Sequence, residues 1–222
     1  MKIDLHVHCE ERSACGRSSE EAMICAAIEV GLDGMAFTDH HRLVPAEHLA
    51  DLNRKYAPFR IFTGVEISVI EGEDVLVLGV YDSALESLDW RYPALHAFVR
   101  RREGFLVLAH PFRFHDQIAL DLERYPIDGI EVHSKNMSGE NVPAICDTMR
   151  RFALRPLCNS DAHGVEDVGV YYNHLVHSAW DDGMLLELLR AGEYACQGLA
   201  EWTPVGPGGM EEAYSLSART AR

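Results

Sequence analysis

Two histidines separated by one residue, in the strand-like stretch Ile3-Asp4-Leu5-His6-Val7-His8, project to the same side of an extended chain, so both imidazoles can reach one metal ion. Three later segments end in the same chemistry: Phe37-Thr38-Asp39-His40-His41, Leu108-Ala109-His110-Pro111 and Asn159-Ser160-Asp161-Ala162-His163. Two polar side chains facing one way in an otherwise apolar strand need partners, because a buried polar group left unpaired costs roughly 1–3 kcal/mol. A metal ion satisfies both at once. The candidate ligands are His6, His8, His40, Glu66, His110, Asp161 and His163. Imidazoles mixed with carboxylates, without a thiolate pattern, suit zinc, manganese or iron(II) in a catalytic role. One ion would be over-coordinated by all of these residues, so at least two ions are expected, with Glu66 or Asp161 as a bridge.

The segments that must position these groups are short apolar strands alternating with helices, the pattern of βαβ units with helices outside the sheet. Strands are predicted over 3–8, 34–38, 60–65, 75–80, 105–109, 129–132, 156–159, 174–177 and 194–198. Helices are predicted from Ser18, whose spacing to Glu21 is that of a capping box, and over 45–56, 93–103, 118–125, 141–152 and 181–191. The acidic turn Glu71-Gly72-Glu73-Asp74 reads as the tip of a hairpin. Candidate ligands fall at the C-terminal ends of at least five strands, where barrel active sites lie, which favours a barrel over an open doubly wound sheet. The expected division is a barrel over 1–200 and a loosely structured tail over 201–222, rich in proline and glycine.

At 222 residues the chain is long enough for a single α/β barrel domain, and its 47% hydrophobic and 25% charged content are ordinary for a soluble globular protein. No apolar run reaches the length of a membrane span, and Asp4, His6 and His8 interrupt the place of a signal-peptide apolar region, so no membrane partner is expected. Six cysteines without a CxxC pair read as reduced thiols, which points to the cytoplasm. The net charge of −15 argues against a broad nucleic-acid surface. Local donors for phosphate are still available: Arg113 just beyond His110-Pro111, with Arg12, Arg17 and Lys135 on other strand-end loops.

The four histidine-bearing segments, together with Gly64-Val65-Glu66, resemble the motifs of the PHP (polymerase and histidinol phosphatase) superfamily of metal-dependent phosphoesterases, over residues 2 to about 200. The resemblance implies an α/β fold, a distorted (β/α)7 TIM-like barrel, with two or three divalent ions (Mn, Zn or Fe) at the strand C-termini. By position, His6, His8, Glu66 and Asp161 would hold one ion, Glu66 and His110 a second, and His40 with His163 a third, with Asp39 orienting its neighbours. Two positions depart from the pattern. Ser13 and Ala14 stand where many members have an Asp or His, leaving Glu10, Glu11 or Cys15 to substitute or the third ion weakly held. Leu76 stands where many have a histidine, leaving His133 to reach in.

The expected activity is hydrolysis of a small phosphomonoester or nucleotide by a metal-activated hydroxide. Arg113 and the ions would offset phosphoryl charge, and His163 or a metal-bound water would protonate the leaving group, with Asp161 completing the catalytic set. The alternatives are a 5′–3′ exonuclease acting on short nucleic acid and a metal-binding regulatory module with weak or no catalysis. A small phosphorylated substrate is the expected partner, and the sequence leaves the oligomeric state open.

Overall fold

A computed structural model describes residues 1–198. The strand carrying His6 and His8, β1 (Lys2–Val7), is followed by α1 (Glu20–Glu29), β2 (Gly34–Phe37), α2 (Ala46–Lys55), β3 (Arg60–Ser68) and β4 (Asp74–Leu78). Then come α3 (Tyr92–Arg100), β5 (Phe105–Leu108), β6 (Gly129–His133), α4 (Val142–Phe152), β7 (Arg155–Cys158), β8 (Tyr171–Leu175), α5 (Asp182–Ala191) and β9 (Tyr194–Gly198). The strands form one sheet in the order β7-β6-β5-β4-β3-β2-β1-β8-β9. The sheet curls into the nearly closed barrel that the sequence predicts.

Two strand polarities depart from a purely parallel barrel. β4 runs antiparallel to both β3 and β5, as the acidic hairpin turn requires, and β8 runs antiparallel to β1. The helix expected over 118–125 does not form. Its apolar residues Ile118, Leu120 and Leu122 recur every second position rather than at helical spacing, and Glu73 accepts a hydrogen bond from the Ala119 amide (2.9 Å), fixing the segment as an irregular connection. The first helix is capped by Ser19, which accepts from the Ala22 amide, and not by Ser18, whose hydroxyl instead accepts from Val165. The expected tail over 201–222 lies outside the described residues.

Three apolar layers hold the barrel. Alternation along the strands sends Val65, Val77, Leu106 and Ile130 outward onto α3 and α4, and Val7, Met35, Phe37 and Ile61 outward onto α1 and α2. The inward set, including Leu5, Ala36, Phe62, Leu76 and Val107, packs with Leu185, Leu186 and Leu189 of α5. Among the described residues no helix is long and apolar enough to cross a membrane.

The seam between β7 and β8 is closed by a side chain. Buried Asn173 accepts from the Cys158 amide (3.1 Å) and donates to the Cys158 carbonyl (2.9 Å) and to Asn159 Oδ1 (2.8 Å). Asn159 Oδ1 in turn accepts from the Leu5 amide (3.2 Å), and His8 N donates to Ala162 O (2.9 Å), joining β1 to the segment after β7. An Asn173→Leu substitution keeps the volume but strands these buried partners. It is expected to lower the unfolding free energy by about 2–5 kcal/mol, read from urea denaturation.

Candidate metal centre

The direction of the His6/His8 pair depends on a β-bulge. Asp4 pairs with Met35 and Val7 with Phe37, so β1 carries one residue more than β2 across this interval. Leu5 already belongs to the barrel interior, and strict alternation would turn His6 outward. The extra residue changes the parity: Val7 packs outward against Met23 and Ile24, while His6 and His8 on either side of it face in.

There they meet Glu66 from β3 and Asp161 from the loop after β7. His6 Nε2 and His8 Nε2 are 3.1 Å apart. His6 Nε2 is 3.2 Å from both Glu66 Oε2 and Asp161 Oδ1, and His8 Nε2 is 3.2 and 3.3 Å from the same two oxygens. Both imidazole nitrogens thus lie close to a carboxylate oxygen of Glu66 and to one of Asp161, and imidazole nitrogen and carboxylate oxygen are the ligand atoms of divalent ions such as zinc. The donor set therefore fits a divalent ion in its chemistry and in the closeness of imidazole nitrogens to carboxylate oxygens.

Two further groups of donors flank it. Glu66 turns its other oxygen to His110 Nε2 (3.0 Å), and Asp74 Oδ2 lies 3.7 Å from the same nitrogen. Ligand atoms of Glu66, Asp74 and His110 lie within 4.8 Å of one another. On the opposite side, those of His8, Cys15 and His40, and of His8, Asp161 and His163, meet the same limit. Every candidate ligand read from the sequence thus converges at one end of the barrel, and Asp74 and Cys15 join them.

Asp74, and not His133, lies beside His110 and Glu66 where Leu76 leaves a gap in the ligand pattern. Because β4 runs antiparallel, its first residue, not its last, reaches the mouth of the barrel, and Leu76 sits deeper in the apolar interior. A second register shift, between Glu131 and His133 on β6, turns His133 away to stack on Tyr171 at 5.6 Å between centroids. The hairpin was legible in the sequence, and following its polarity to Asp74 would have found this residue.

Buried side chains behind the donors hold their orientation. Glu131, which the sequence reading did not single out, accepts from His6 Nδ1 (2.9 Å), the His110 amide (2.8 Å) and Asn159 Nδ2 (2.8 Å). With Nδ1 carrying the proton, His6 presents the Nε2 lone pair to the side where Glu66 and Asp161 lie. Ser13, read as a gap in the ligand pattern, lies 3.3 Å from His8 Nδ1 and accepts from the His40 amide (3.0 Å). Asp39 accepts from the Cys9 amide and Arg12 Nε, both 2.8 Å, tying the loop after β1 to β2. His163 Nδ1 donates to the Asp161 carbonyl (2.9 Å), leaving its Nε2 lone pair available. His110 (φ 27°) and Asp161 (φ 52°) both have left-handed backbones, strain of the sort that collects at functional sites.

Charge in the cluster is self-compensating. Burial alone would depress the imidazoles, but Asp161 and Glu66 outweigh it, raising His6 well above its ordinary value and His8 to about 9. Burial likewise opposes ionisation of Glu66 and Asp161, yet His6 with its neighbouring imidazoles holds both well below the usual carboxylate range. His40 and His163, lowered by burial and by the nearby His8, favour the neutral, ligating form.

The cations differ in their commitments. Arg113 stands at the rim with Nη1 3.6 Å from Asp161 Oδ2 and about a third of its side chain (35%) exposed. Arg12 is turned inward, held by Asp39 (2.8 Å) and Glu20 (2.6 Å) over the Phe37 ring. Arg17 pairs with Glu166 (2.5 Å) and Asp167 (3.1 Å), and Lys135 pairs with Asp167. The geometry thus corrects the expectation for Arg12, which is an internal tie and not a rim donor. Glu131→Ala, which removes the acceptor from three buried donors, is expected to cost about 3–5 kcal/mol in chemical denaturation. Glu131→Gln, which keeps an acceptor oxygen, should cost less than half of that.

The sequence matches the PHP domain family over residues 4–183. No curated protein matches the chain. Among solved structures it is similar to PsfC from Pseudomonas syringae PB-5123, with 19% identity and a TM-score of 0.66 over 99% of this chain and 97% of that one. It is also similar to a two-domain protein from Bacteroides vulgatus described as containing a predicted PHP-like metal-dependent phosphoesterase (18%, TM-score 0.68, 89% of this chain and 64% of that one). A third similar structure is the lesion-specific endonuclease PfuEndoQ from Pyrococcus furiosus (14%, TM-score 0.61, 88% and 57%). With its donor-lined barrel mouth and a family match spanning most of its length, this chain belongs to the PHP domain family.

Proposed function

We propose that this chain is a metal-dependent phosphoesterase acting on a small phosphomonoester or nucleotide. The observation that carries the reading is the convergence of His6 and His8 on Glu66 and Asp161, with the second oxygen of Glu66 turned to His110. Two or three divalent ions would be held: one by residues of the His6, His8, Glu66 and Asp161 cluster, one by Glu66, Asp74 and His110, and one beside His8, His40 and His163. When bound, such ions supply a water of depressed pKa and stabilise the attacking and leaving oxygens of a phosphoryl group.

The protein's own groups do the rest. Arg113 offers a planar fork to the phosphoryl oxygens and offsets their charge. Asp161, ionised and held by Asn136 Nδ2 (2.7 Å) on the oxygen remote from the histidines, keeps its other oxygen aimed at His6 and His8. His163, with Nδ1 donated to a carbonyl, is suited to holding an ion by Nε2, so the leaving-group proton comes from water and not from this imidazole. Arg17 and Lys135, paired with Glu166 and Asp167, shape the rim. The net charge of −15 favours a small substrate over a polyanion.

The test is a screen of purified protein, loaded with Mn²⁺, Zn²⁺ or Fe²⁺, against phosphomonoesters, phosphodiesters and short oligonucleotides. Hydrolysis of a phosphomonoester with a shallow salt dependence is expected. Activity confined to oligonucleotides, falling steeply with salt, would favour the exonuclease, and inactivity with full metal content would favour a regulatory module. Arg113→Ala should lower kcat/KM by roughly 10²- to 10³-fold at unchanged metal content, the size of losing one charged donor to a transition state.

A pH dependence follows from the raised His8. Without ions, the stability that protonated His8 contributes is fully present below its ordinary pKa of 6.5 and is lost as pH rises through about 9. Ions compete with those same protons, so metal affinity should rise across that window and uptake at neutral pH should release protons. Calorimetry in buffers of different ionisation enthalpy reads the release, and heats independent of buffer would contradict it.

A further inference from the structure

The two flanking corners of the centre differ in chemistry. Glu66, Asp74 and His110 offer mainly carboxylate oxygen, whereas the opposite corner sets Cys15 Sγ beside the nitrogens of His8 and His40, all within 4.8 Å. Hard oxygen donors suit manganese or magnesium, while a thiolate with imidazoles selects the softer zinc or cobalt(II). We propose that Cys15 is a thiolate ligand that makes this corner selective for a soft divalent ion, so that the centre binds two kinds of metal; the proposal rests on the metal-dependent reading above.

The loop that carries Cys15 is built to present it. Its turns are closed by Ser13 N to Cys9 O and Gly16 N to Ser13 O, both 3.0 Å, and its far side is tied to the other motif loop by Arg17 N to His163 O (2.7 Å). Gly16 packs so tightly that a Cβ there would stand 2.3 Å from the Cys9 carbonyl carbon, so only glycine lets the loop lie this close. Ser13 then contacts both neighbouring ligand residues, His8 through Nδ1 and His40 through its amide, fixing them relative to Cys15. Cys15 is exposed, on the open side of the centre, where His40 is also partly accessible (36%). An ion at this corner can therefore enter from solvent without opening the barrel.

Cobalt(II) is the probe, because a cobalt–thiolate bond gives a near-ultraviolet charge-transfer band that imidazole and carboxylate ligands do not. Full-length protein titrated with cobalt should show that band together with visible d–d absorption. Cys15→Ser should lose the band and one bound ion while the d–d absorption of the remaining ions persists, and zinc affinity at the lost position should fall by on the order of tenfold or more. Cys15→Asp should keep the ion count but shift the preference at that position from zinc toward manganese. Alkylation gives an independent readout. Iodoacetamide should label Cys15 in metal-free protein and spare it after zinc is added, while Cys25, the other exposed cysteine, is labelled equally in both and serves as the internal reference. Cobalt d–d absorption in wild type without the charge-transfer band, or Cys15 labelling unchanged by zinc, would overturn the thiolate and leave the metal centre standing. Failure of the wild type to retain any cobalt would overturn the metal-dependent reading itself.

Discussion

The constraint on which this structure turns is the mutual compensation of ionised groups buried in the barrel mouth. Taking a carboxylate or an imidazolium out of water costs several kcal/mol per ion, and only close, well-oriented partners offset it. Glu66 and Asp161 are almost inaccessible, as are His6 and His8, so their arrangement has to satisfy every charge at once. His6 Nε2 and His8 Nε2 each lie 3.2–3.3 Å from a carboxylate oxygen of Glu66 and of Asp161, close enough for protons on the imidazoles to compensate both carboxylates. The remaining polar contacts follow from that demand: Glu131 behind His6, Ser13 behind His8, Asn136 behind Asp161.

That demand also explains features of the fold that would otherwise be idiosyncratic. The bulge in β1 brings Leu5 and His6 to the same side, giving the barrel both an apolar plug and a polar rim from one short strand. The seam between β7 and β8 is bridged by the Asn173 amide, whose bonds to Cys158 and Asn159 position the segment that delivers Asp161 and His163. Left-handed backbones at His110 and Asp161 mark sharp changes of chain direction just where these two side chains are delivered. Strain there is tolerated because the surrounding hydrogen bonds over-determine the loops.

How far the sequence disclosed this differs by the range of the interaction. Same-side presentation of His6 and His8 is local, as are the strand ends carrying His40, His110 and Asp161, and these were legible from spacing. Bulges are not, because one inserted residue flips every later side chain to the other face without changing composition or hydrophobicity. For that reason His133 read as a ligand candidate, although its register turns it to Tyr171. Asp74 was missed for a topological reason: an antiparallel strand reverses which of its ends reaches the mouth. Glu131 looked like one acidic residue among many, and only its three buried donors reveal its work. The segment around Leu120 read as a helix because its apolar residues are dense, although their alternation does not match a helical period.

Electrostatics at the rim bear on which ligands the centre can attract. Arg12, Arg17 and Lys135 all pair with Asp or Glu side chains, so their charges are already compensated within the protein. Arg113 is itself turned toward Asp161, and the chain as a whole is strongly acidic. A phosphate approaching such a mouth without metal ions meets one rim cation, Arg113, with the buried carboxylates of Asp161 and Glu66 behind it. Under the proposed assignment, the positive potential that admits a phosphorylated substrate must come chiefly from the bound ions, so substrate affinity and metal occupancy become one linked equilibrium. Cys15 adds a second layer to that linkage. As a ligand on the exposed side, it would let a soft ion set the charge at the entrance, while the buried cluster of His6, His8, Glu66 and Asp161 keeps its own.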